Sequence, residues 1–173
     1  MILGLSFDTF TNLHTIISLI GIATGLIALI GMLSSKKLEG WTAIFLLTTV
    51  LTSVTGFMFP NAGFTPAQGV GYLSLVVLAL ALLALYVFKL NGAWRWLYVV
   101  GAVSALYLNV FVGVVQAFKQ LAFLQPLAPT QSEPPFIIAQ TIALLIFVVL
   151  GILAGIKFHP EATRPVKGTA KAA

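Results

Sequence analysis

The charged residues of this chain fall into a few short groups, and the gaps between them decide what it can fold into. Between Asp8 and Lys36 lie 27 residues without a formal charge, and between Glu39 and Lys89 lie 49. The gaps Arg95 to Lys119 and Glu133 to Lys157 hold 23 each. A helix that crosses hydrocarbon needs about 20 consecutive apolar residues. The longest gap therefore holds two such helices and the other three hold one each. The reading is an all-α polytopic membrane protein, a bundle of five transmembrane helices. Composition agrees, with 60% hydrophobic and 8% charged residues where soluble domains carry roughly a quarter charged.

Local signals set the expected boundaries at about 11–33, 41–58, 70–89, 96–118 and 135–158. The first helix ends at "SSKKLEG". The second starts at Trp41 and is broken by the Pro- and Gly-rich "FPNAGFTPAQG". Pro134 and Pro135 fit the first turn of the fifth helix, where a missing N–H costs nothing. Residues 1–158 thus read as one transmembrane domain, and 159–173 as a basic tail without fixed structure. "MILGLSFDTF" lacks the basic start and small-residue cleavage site of a signal peptide. With no cysteine in the chain, disulfides, thiolate catalysis and Cys-held metals are excluded.

Basic residues favour the cytoplasmic side. In a five-span arrangement Lys36, Lys37, Lys89, Arg95, Lys157, Arg164, Lys167 and Lys171 fall on one side and only Lys119 on the other. The N-terminus is then outside and the C-terminus in the cytoplasm. The net charge of +5 is explained by this topology and by contact with anionic lipid, so no nucleic-acid partner is expected. Trp41, Trp94 and Trp96 beside these charges read as an interfacial aromatic belt.

Lipid supplies no hydrophobic drive between helices, so small and polar residues mark their contacts. In the first helix His14, Ser18, Gly21, Gly25 and Ala28 share one narrow face, at about 100° per residue. In the fourth, Ala102, Ala105, Asn109, Gly113 and Gln116 do the same. The second carries Thr48, Thr49, Thr52, Ser53 and Thr55, hydroxyls that can satisfy themselves on carbonyls four residues back. The amide of Asn109 cannot, and needs a partner inside the bundle. The fifth offers Gln140 and Thr141 near one end and a Gly151/Gly155 pair near the other. Gly21, Gly25, Gly113, Gly151 and Gly155 are the expected helix-packing positions.

By depth, every imidazole and carboxamide of the spans lies in the outer half. That predicts an outward-facing polar pocket of His14, Ser18, Thr52, Thr55, Asn109, Gln116 and Gln140 above a dry inner half. The apolar outer connections, with Phe59, Phe64, Phe123, Leu124 and Leu127, are expected to lie in the interface or fold over the bundle. For catalysis the pocket offers one imidazole, with Asp8 more than a turn away, so no catalytic residue is assigned. Haem ligation by two histidines fails because His159 lies on the opposite side. A His14/Met58 pair is the weaker haem reading, since Met at a helix end is usually filler, and no cofactor or metal is expected. The function expected is that of an assembly or binding protein, a non-catalytic subunit or homo-oligomer in the lipid bilayer, its pocket suited to a lipid, a quinone or another small ligand. The competing reading is a solute or proton transporter with His14 as the titrating residue. Against it stand the uncharged inner half and the absence of an internal repeat.

At "TSVTGFMFP" (52–60), "NGAWRWLYVV" (91–100), "LYLNVFVGVVQAF" (106–118) and "LAPTQSEPPF" (127–136) the chain resembles a family of small, uncharacterised bacterial integral membrane proteins with five predicted transmembrane helices. The resemblance implies the bacterial inner (cytoplasmic) membrane and carries no activity or functional residue with it.

Overall fold

A computed structural model describes residues 1–60 and 63–160. The basic tail expected at 159–173 lies, from residue 161 on, outside the described residues. The fold has five α-helices: α1 (Phe7–Leu33), α2 (Glu39–Gly56), α3 (Pro66–Leu82), α4 (Trp94–Gln120) and α5 (Pro134–Lys157). A π-helical turn, Leu83–Val87, prolongs α3. Four segments, Phe7–Leu33, Pro66–Val87, Trp94–Gln120 and Pro134–Lys157, are long and apolar enough to cross a membrane, which makes this a multi-pass membrane protein. The fifth helix, α2, is shorter, at 18 residues, and is diluted by six Thr and Ser side chains.

Where the helices begin differs from the sequence boundaries, for reasons that lie in their caps. α1 starts four residues early because the Ser6 hydroxyl accepts the N–H of Thr9; Asp8 then sits in the first turn, where a negative charge suits the helix dipole. α3 also starts four residues early. Thr65 and Gln68 form a reciprocal capping box around Pro66, so "FTPAQG" is a helix start and not only a break. α5 begins at Pro134 after Glu133, as the two prolines suggested.

Glu133 is fastened in place before that helix. Its carboxylate accepts from the Thr130 hydroxyl at 2.8 Å and from the N–H groups of Thr130 and Ser132 at 3.1 Å each. Partial desolvation works to raise its pKa, but these donors outweigh it and hold the carboxyl below its ordinary value. A lowered folded-state pKa contributes stability above the unfolded value, and that contribution is lost as pH falls through the folded one.

Contacts across the helix pairs give the topology. Going up α1, His14 meets Thr55, Ser18 meets Thr52, and Gly25 and Gly31 face Phe45 and Leu38. The partners descend as α1 ascends, so the two helices form an antiparallel hairpin closed by residues 34–38. The same crossing order holds for α3 with α4 and for α4 with α5, giving an up-and-down bundle. One end therefore gathers Lys36, Lys37, Lys89, Arg95 and Lys157, together with Glu39. Of the described basic side chains only Lys119 is at the other.

The largest apolar cluster lies in the half toward the basic end. It joins Ala28, Leu29 and Met32 of α1, Phe45 and Leu46 of α2, Leu78 and Ala81 of α3 and Tyr98, Val99 and Ala102 of α4. α3 and α4 approach closely at Gly101, where an added Cβ would stand 2.7 Å from the Val77 carbonyl oxygen. α5 lies on the outside and buries only Phe147, Ala154 and Gly155. At the basic end Arg95 Nη1 donates to the carbonyls of Gly155 (2.9 Å) and Phe158 (2.6 Å). These groups belong to the end of α5, whose last carbonyls have no partner within the helix.

Candidate functional site

The helix with the most hydroxyls packs between three others. α2 touches α1, α3 and α4, and it presents a polar group to each. His14 Nδ1 of α1 is 2.7 Å from Thr55 Oγ1. Ser18 Oγ is 3.3 Å from Thr52 Oγ1. On the α3 side Ser53 Oγ and Ser74 Oγ are 3.1 Å apart, both buried. On the α4 side Asn109 Nδ2 donates to Thr49 Oγ1 at 3.2 Å, with Thr49 fully buried.

The Thr55 hydroxyl joins the two helices. Its oxygen lies 2.7 Å from the Leu51 carbonyl of its own helix and 2.7 Å from His14 Nδ1, so its one proton can go to either, and the tautomer of the ring follows that choice. The imidazole is half-buried, and Phe59 stands edge-on to it at 5.1 Å. Phe59 also packs on Phe10 and Phe7. The connection after α2 thus closes an aromatic plug over the histidine.

Gly21 makes the mid-depth contact possible. A Cβ there would lie 3.2 Å from Asn109 Nδ2 and from Thr48 Oγ1, and 3.4 Å from Thr49 Oγ1. Gly25, one turn on, would drive its Cβ to 2.6 Å from Leu106 and 2.8 Å from Phe45. Of the other glycines, Gly113 faces Ile22, Gly151 faces Val103, and Gly155 lies directly under the Trp96 ring.

The structure brings His14, Ser18, Thr52 and Thr55 together, and joins Asn109 to Thr49 one to two turns deeper. It does not bring in the other two. Gln116 is exposed on α4, where the small-residue stripe leaves the bundle. Gln140 lies on α5 and donates to the Phe111 carbonyl at 3.1 Å, its buried Oε1 left without a partner. The expected pocket residues form cross-helix pairs spread along a seam, and two cavities lie elsewhere in the bundle. One, of about 310 Å³, lies between the end of α4 (Phe118, Lys119) and the α4–α5 connection (Gln125, Ala128 to Gln131). That connection folds against the bundle end, with Ala128 buried and Gln131 donating to the Val115 carbonyl, while Leu121, Phe123 and Leu127 stay exposed.

Sequence reasoning missed the buried pair Ser53–Ser74 and the Arg95 cap. Ser74 carries no stripe around it, and Arg95 read as an interfacial charge. Consecutive helices of an up-and-down bundle are neighbours, however, and that alone would have put Arg95 beside the end of α5. The polar seam itself has a measurable consequence. Asn109→Leu and Thr49→Val are expected to be coupled by about 1 kcal/mol, the usual size of an interhelical hydrogen bond in lipid. A double-mutant cycle on thermal unfolding in detergent reads this directly, and additive effects would show that the pair does not interact.

The chain matches no known family profile, and no curated protein or solved structure is similar to it.

Proposed function

We propose that this chain crosses the bacterial cytoplasmic membrane five times, first helix entering from outside, and serves as a non-catalytic assembly or binding subunit. Its partners are lipid and either copies of itself or a larger membrane complex. One observation carries the reading: α2 uses its hydroxyls to meet three different helices. His14, Ser18, Thr49, Thr52, Thr55 and Asn109, polar groups that a transport path or reaction site would need, are engaged in helix-to-helix contacts. His14 fits this role, with Nδ1 committed to Thr55 and the ring covered by Phe59. The gathering of basic residues at one bundle end supports the orientation, and the resemblance to small bacterial membrane proteins supports the location.

Labelling tests the topology without background, since the chain has no cysteine. Lys37→Cys is expected to react with an impermeant maleimide only from the cytoplasmic side, and Phe64→Cys only from outside. Reaction of both from the same side would show that α2 does not cross. Native mass spectrometry from mild detergent is expected to find a heteromeric partner or several copies. A strict monomer, with proton flux in reconstituted vesicles between pH 5 and 8, would favour transport through His14 and overturn the subunit reading.

A further inference from the structure

Outside the polar seam, the feature of the fold with no evident structural duty is the π-helical turn Leu83–Val87. Such turns are rare and are found mostly at functional places in helices. Here the Phe88 N–H reaches the Leu83 carbonyl five residues back at 2.9 Å, and the Leu90 N–H reaches Ala84 at 2.9 Å. The turn flanks a groove of about 300 Å³ between α2 and α3, lined by Ala43, Leu46, Leu47, Val50, Leu82 and Tyr86. Toward the other end of the bundle the same two helices are closed together by Ser53 on Ser74 and Phe57 on Gly71.

The groove has a direction. α2 runs away from the basic end and α3 runs toward it, so Val50 and Leu82 lie at its deep end. Ala43 and Tyr86 lie at its mouth, and the Tyr86 phenol is the only polar side-chain group in the lining. Lys37 precedes α2 by two residues and Lys89 follows the π-turn by two. Both therefore stand at the mouth, with Lys36 next to Lys37 and one acidic residue, Glu39, in the first turn of α2. Lys89 is held there by a stiff turn. It and Leu90 both have positive φ (49° and 62°), and Leu90 is buried beneath it.

We propose that the α2–α3 groove is a binding site for one anionic diacyl phospholipid. An acyl chain lies along the apolar lining, the glycerol–ester region meets the Tyr86 hydroxyl, and the phosphate sits between Lys37 and Lys89. A slot with one polar group at its mouth and cations just beyond it matches the order of chain, ester and phosphate in such a lipid. A second copy of the protein would have to offer an apolar ridge ending in acidic groups. Among the described residues Asp8 and Glu133 lie at the opposite end from these lysines, and the one acidic residue at this end, Glu39, belongs to the groove's own helix and borders its mouth, so no other described face of a second copy supplies such a ridge. That the lipid comes from the cytoplasmic leaflet rests on the orientation proposed above; the groove and its charges do not.

The purified full chain in mild detergent would be mixed with phosphatidylglycerol or phosphatidylcholine of identical chains, and bound lipid counted by native mass spectrometry. The parent is expected to retain the anionic lipid preferentially, by roughly fivefold for each lysine at about 1 kcal/mol per cation. Lys37→Gln with Lys89→Gln should bring the two lipids to near parity while chain binding persists. Ala43→Trp, at an exposed position inside the groove, should abolish retention of both. The lysines lie outside the helices and Ala43 faces outward, so melting temperatures equal to the parent's are expected and serve as the folding control. An undiminished preference in the lysine variant, undiminished retention in Ala43→Trp, or a dimer that Ala43→Trp dissociates would each overturn the proposal. None of these results depends on the maleimide labelling, so the site and the topology can fail separately.

Discussion

Gly101→Leu is expected to be the most damaging single substitution in the bundle. The Cβ alone would stand 2.7 Å from the Val77 carbonyl oxygen and 3.2 Å from Ala81 Cβ. The first of these is backbone and cannot rotate aside, so α3 and α4 must part along this contact. Around it lie Leu78, Ala81, Tyr98, Val99 and Ala102, all buried. Separation therefore loosens the central apolar cluster and not just one contact. A cost of about 3 kcal/mol, the upper end for overpacked sites, should appear as a large fall in melting temperature in detergent. Gly101→Ala should lie between. If leucine were accepted with the parent's melting temperature, the close approach of α3 and α4 would be wrong.

Arg95→Met should be nearly as costly, but its effect is confined to one helix. α5 buries the fewest residues of its span among the membrane-length helices, and it meets α4 at Phe136 on Phe118, Gln140 on Phe111, Phe147 on Tyr107, Gly151 on Val103, and Gly155 under Trp96. Arg95 closes this series by holding two of the last carbonyls of α5. Hydrogen bonds from a charged donor contribute about 1.5–3 kcal/mol each. Removing both should therefore cost about 3 kcal/mol and fray the end of α5. Limited trypsin digestion offers a local readout, with cleavage after Lys157 accelerating in Arg95→Met and less so in Arg95→Lys, which keeps the charge but not the reach of the guanidinium. Unchanged cleavage would mean that something other than Arg95 secures this helix.

The helices were legible because lipid forces the polar backbone into helices and the charges out of the gaps between them. The faces were legible too. The stripe from His14 to Ala28 predicted which side of α1 meets other helices, since only small residues allow the approach that Gly21 and Gly25 make. What the sequence did not disclose depends on a second helix. Ser53 meets Ser74 because α2 and α3 happen to close at that level. The π-turn at Leu83–Val87 leaves no mark in "LALYV" that an α-helix would not also tolerate. The depth sorting of polar side chains pointed to a group of residues, and depth alone does not say which of them meet. His14, Ser18, Thr52 and Thr55 do, whereas Gln116 is exposed on α4 and Gln140 bonds to the Phe111 carbonyl.

The hydroxyls of the seam have one property that bears on how such a bundle comes together. Thr24, Thr48 and Thr55 place their hydroxyls on a carbonyl four residues earlier in the same helix, while Ser18 and Ser53 reach both such a carbonyl and a hydroxyl of the neighbouring helix. Each helix can thus satisfy these groups in lipid before it meets another, and the hydroxyls alone do not dictate which partner it takes. The His14 imidazole and the Asn109 amide are different, because the side-chain partners they find lie across a helix boundary. α1 and α4 both fasten in this way onto α2, at two depths. These two side chains anchor the vertical alignment of three helices, and the hydroxyls of Ser18 and Ser53 can switch from their own helix to the neighbour once that alignment is reached.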